Sequence, residues 1–135
     1  MRKVFAAGPA TSLQIGETIH PDLAALRRTY RGFTGLSGDT ILAFCHRGEV
    51  EDEIIAELHF YRAGMPLTTI AHETCHAVLA LARYMRLDLE DNYAEEVIAE
   101  ATEAIMTGVL ALKRESGVSR RLARSRQRNC GPLPS

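Results

Sequence analysis

Apolar positions three and four apart mark helices along this chain, and one apolar–polar alternation marks a strand. Leu23, Leu26 and Tyr30 recur at helical spacing after His20, Pro21 and Asp22. A helix is therefore expected from there to about Arg31, with proline suited to the first turn. Gly32, Gly35 and Gly38 punctuate the connection that follows. Residues 41–46 read as a short strand, residues 48–52 as a turn, and residues 54–61 as the second strand of a hairpin. In that second strand Ile54, Ala56, Leu58 and Phe60 alternate with Ile55, Glu57, His59 and Tyr61. Such alternation fits a half-exposed strand, here expected at a sheet edge. Residues 8–19 read as a loop-like lead-in.

Ala63-Gly64-Met65-Pro66 breaks the strand. Thr68 or Thr69 is expected to cap a helix running to about Arg86, with Ala71, Cys75, Val78, Ala82 and Met85 toward the core. Residues 88–92 form a polar connection in which Asp91 or Asn92 caps a last long helix. That helix is expected from Tyr93 to about Arg114, packed through Val97, Ile98, Ala101, Ile105, Val109 and Leu112. The order helix, strand, strand, helix, helix implies a compact α+β domain over residues 1–114.

The 135 residues suffice for one modest core, and 46% of them are apolar, with 24% charged. No apolar run reaches the length of a membrane-spanning helix, and the basic start is followed by too short an apolar run for a signal peptide. Cys45, Cys75 and Cys130 are an odd number of cysteines. A reducing compartment is expected: the cytoplasm, or a virion if the chain is phage-encoded. The net charge of −1 conceals an asymmetry. Residues 1–112 carry nine Lys/Arg against sixteen Asp/Glu, net −7, whereas residues 113–135 carry seven against one, net +6. An acidic body thus ends in a basic tail over 115–135, expected to be flexible and solvated. Docking on nucleic acid is open to it but is not favoured, because no aromatic residue after Tyr93 is available to stack on bases.

The chemistry concentrates in His72-Glu73-Thr74-Cys75-His76. Composition alone would produce a His-Glu-x-x-His match roughly 0.016 times in a chain of this make-up. On a helix, residues four apart share a face, so both imidazoles can meet one metal ion while Glu73 reaches a metal-bound water. Zinc suits such a pair, with a third protein ligand and one position left for water. No histidine follows His76. The third ligand is therefore sought among downstream carboxylates, Glu96 first and Glu95 second, with Glu100 one turn further as a group that could hold a ligand imidazole. Cys45 and Cys75 read as core residues, and His20 and His46 as surface residues. His59 or Tyr61 could line the cleft.

His72-Glu73-x-x-His76 followed by Glu96 and Glu100 on the next helix resembles the gluzincin metallopeptidases. The size is similar to that of their smallest relatives, the minigluzincins and small phage or bacterial zinc peptidases. The resemblance covers about residues 40–112. It implies a zincin-like fold of helix, β-hairpin, metal helix and long helix, with an edge strand where an extended substrate pairs. It further implies His72, His76 and Glu96 as zinc ligands, Glu73 as general base and Glu100 behind the ligands. The segment from Ala94 to Glu100 lacks the family's usual Asn-Glu-x-x-Ser-Asp wording. The SprT-like proteases are a second resemblance, through His-Glu-x-Cys-His, but they use a third histidine downstream.

The function expected from these readings is zinc-dependent hydrolysis of a peptide bond in a protein or peptide substrate, by metal-bound water with Glu73 as base. The alternative is a non-catalytic zinc-binding structural or assembly protein, such as a phage particle component. One small domain supplies a single wall for a substrate cleft, which points to a homo-oligomer or a protein partner.

Overall fold

A computed structural model describes residues 1–47 and 53–129, with side chains described as far as Gly117. The expected turn at 48–52 and Cys130 lie outside the described residues. The elements are β1 (Arg2–Ala6), β2 (Gln14–His20), α1 (Leu23–Thr34), β3 (Phe44–Arg47), β4 (Ile54–Tyr61), α2 (Leu67–Tyr84) and α3 (Asn92–Asn129).

The strands form one mixed sheet in the order β1-β2-β4-β3. β1 is antiparallel to β2, β2 is parallel to β4, and β3 closes the hairpin with β4. The lead-in is thus not a loop but two strands. Its apolar stretches are short: Val4–Phe5 spans two residues, and Glu17 interrupts Ile15–Ile19, which conceals the alternation. β4 is also not an edge strand. It lies between β2 and β3, and every residue from Ile55 to Phe60 is buried, including Glu57 and His59. Polar side chains on its second face mimic exposure, but that face is covered too. The outer strands of the sheet are β1 and β3.

Strand pleating sorts the residues between two faces. Phe44 pairs with His59, and His46 with Glu57, so these four share a face. Phe33 of α1 stacks on His46 at 4.1 Å between ring centroids and tilts over His59, which places α1 on that side. Cys45, Arg47, Leu58 and Phe60 point to the other face, where α2 and α3 pack with Ile70, Ala77, Leu81, Val97, Ala101, Ile105, Val109 and Leu112.

Helix ends follow local chemistry. Asp22 caps α1 by accepting the Ala25 N–H at 2.8 Å, with Pro21 before the cap rather than in the first turn. α1 ends at Gly35, whose φ of 72° is the left-handed geometry that glycine tolerates at a helix end. Asp91 Oδ1 accepts the Tyr93 N–H and caps α3. At α2, neither Thr68 nor Thr69 is the cap; the helix starts at Leu67 after Pro66, with no side-chain cap. α3 continues past Arg114 to Asn129, so the basic segment up to that residue extends the same helix. No helix among the described residues is long and apolar enough to cross a membrane.

Candidate metal centre

α2 is turned about its axis from the expected orientation. Ile70, Thr74, Ala77, Val78 and Leu81 are buried, while Ala71 and Cys75 are exposed. The larger aliphatic side chains Ile70 and Leu81 win the core over the row of alanine and cysteine, because more apolar area is removed from water. This rotation decides the site. It leaves His72 and His76 exposed beside one another and turns Glu73 inward, where it is 6% exposed.

The two imidazoles meet. Nε2 of His72 and Nε2 of His76 lie 3.3 Å apart, with the rings edge to face. Two nitrogens bound to one tetrahedral zinc at 2.0–2.1 Å are themselves separated by about 3.3 Å. The spacing of the donor pair therefore fits a shared ion, with the solvent side of both rings open.

Glu73 sits between this pair and the sheet. Burial raises its carboxyl above the usual range, with His72 acting in the opposite direction. Burial lowers His76, and His72, Arg47 and Arg83 add to the effect. Cys45 is half-buried, and its thiol is pushed up to about 12, first by burial and then by Glu73. His72 and Glu73 form one end of a cleft of about 350 Å³ whose other walls are Thr40–Ala43 and the first turn of α2 with Thr68 and Thr69. The segment 40–43 runs directly into the edge strand β3. Its residues 41–43 are expected from the sequence only as the start of a strand; the signal for a cleft wall is the position immediately before an edge strand and after Gly38.

The downstream carboxylates stand elsewhere. Lys113 Nζ donates to the Met65 carbonyl at 2.8 Å, as expected of helices that run antiparallel across a short connection. Glu96 and Glu95 are exposed on the first turns of α3. Glu100 lines a separate crevice with Phe5, Ala6, Pro9 and Glu103, beside β1 rather than behind the histidines. Among the described residues no group of three or more His, Cys, Asp or Glu side chains is placed to hold a metal ion. Of the expected residues, the structure brings His72 and His76 together, with Glu73 on the same helix, and does not group Glu96 or Glu100 with them.

His59 does not line this cleft. It faces α1, stacked on Phe44 at 4.4 Å, with its Nδ1 3.0 Å from Nε2 of His20. His20 and His46 are accordingly not plain surface residues but half-buried members of this ring cluster. Comparison with protein-family models, with curated proteins and with solved structures returns no match for this chain.

Proposed function

We propose that this chain is a small zinc-dependent metallopeptidase whose metal is held by His72 and His76. The observation that carries this reading is the 3.3 Å separation of the two Nε2 atoms on consecutive turns of α2. A bound divalent ion would supply Lewis acidity and an activated water in the open positions around it. Glu73, anchored on the same helix and lining the same cleft, would accept a proton from that water and return it to the leaving amine. An extended peptide entering between Thr40–Ala43 and α2 would run toward β3, whose outer edge carries no further strand among the described residues. The outward placement of both imidazoles leaves room for a third donor from a partner or substrate.

A non-catalytic zinc-binding role is the second reading, favoured by the position of Glu96 away from the pair. The two separate on one variant. Glu73→Gln should keep the metal content of the wild-type protein and lose at least a hundredfold in cleavage of an unstructured protein substrate. Equal turnover by both proteins, or none by either with zinc bound, would contradict catalysis.

A further inference from the structure

The C-terminal part of α3 carries a charge pattern that the candidate centre does not use. Because α3 is continuous through Asn129, its residues can be placed around one axis at 100° per residue. Lys113, Arg114, Arg120, Arg121, Arg124 and Arg128 then fall within one arc of about 120°. Arg126 alone of the basic residues lies outside that arc. The row that packs into the core, Val109 and Leu112, lies about 110° away from the centre of the stripe. From Ser116 to Asn129 there is no acidic residue. Ser116 is the last buried side chain among those described. Lys113 ties the start of the stripe to the body through the Met65 carbonyl.

We propose that this stripe is a duplex-DNA-binding surface, with its five arginines meeting phosphates bordering the major groove while Lys113 stays tied to the body. Arginine predominates, and its planar fork matches phosphate geometry. From Lys113 to Arg128 the stripe spans about 22 Å of straight helix, and the B-form major groove admits an α-helix. The deep, narrow major groove of duplex RNA does not. Single strands are disfavoured because the segment has no aromatic residue for base stacking. The same lack of aromatics that argues against base stacking is immaterial to phosphate contacts. The net charge of −7 on residues 1–112 repels DNA and confines contact to this stripe.

The test uses the full chain and a fluorescein-labelled 20-base-pair duplex, with anisotropy followed from 50 to 250 mM KCl. Binding should weaken with a log–log salt slope of about −4.5, since each of five neutralised phosphates contributes about 0.9. Replacing Arg120, Arg121, Arg124 and Arg128 together by Gln should lower affinity at least tenfold and remove most of the slope. Arg126→Gln should change little. Glutamine keeps helix propensity, and unchanged circular dichroism would confirm an intact helix. Absence of binding at 50 mM salt would overturn the proposal, as would equal affinity of the fourfold variant. So would equal competition by single-stranded DNA, duplex RNA or polyglutamate, or salt-sensitive self-association without duplex binding.

Discussion

The Lys113 ammonium donates to the main-chain carbonyl of Met65 across 2.8 Å, joining α3 to a residue two positions before the start of α2. The contact ties α3 to the segment that leads into α2. Lys113→Met keeps the stem and removes the charge-assisted hydrogen bond, and it should lower stability by about 1 kcal/mol. Urea unfolding measures this; an unchanged midpoint would show that apolar packing alone sets the register.

Glu17 supplies a pH signature. It is fully buried, and neither carboxyl oxygen has a hydrogen-bond partner among the described residues. Burial raises its pKa to about 8, with Lys3 opposing and Glu115 reinforcing the rise. The folded state therefore prefers the protonated acid. Its stabilising contribution is complete below about pH 4.5 and is lost as pH rises toward 8. Glu17→Gln should flatten that loss and raise Tm by about 5 °C or more over wild type at pH 8.5. Parallel pH curves for the two proteins would refute the assignment.

His59 acts in the opposite direction. Burial lowers its pKa to about 4, partly offset by Glu57, while His20, His46 and Arg2 lower it further. Its stability contribution is present above about pH 6.5 and is lost as pH falls toward 4. His59→Phe keeps a flat ring against Phe44 and removes the proton-binding site. Thermal unfolding between pH 7 and 4 should be less pH-dependent in the variant; an identical acid limb would show that other groups control it.

Legibility in the sequence followed the strength of local pattern. The α3 row of Val97, Ala101, Ile105, Val109 and Leu112 was readable because a long helix repeats its period several times, and these residues are buried as expected. The hairpin of β3 and β4 was readable from two apolar runs around a turn. β1 and β2 were not, because β2 carries Glu17 and Gly16 in its buried centre and pairs with β4 across a long crossover. The rotation of α2 was missed because small apolar residues occur all round it, so size rather than period decides which row is buried. At the candidate site, the helical spacing of His72 and His76 is a local property and could be read directly. The level of Glu96 depends on how α2 and α3 slide past each other, which tertiary packing sets and no spacing rule contains.

Zinc titration into metal-free protein, followed by elemental analysis, bears most directly on the paired imidazoles. One equivalent should bind to the wild-type chain and to Glu96→Ala, and binding should be lost in His72→Ala and in His76→Ala. Full occupancy in both histidine variants, or no bound zinc in the wild-type chain, would contradict a metal centre on α2.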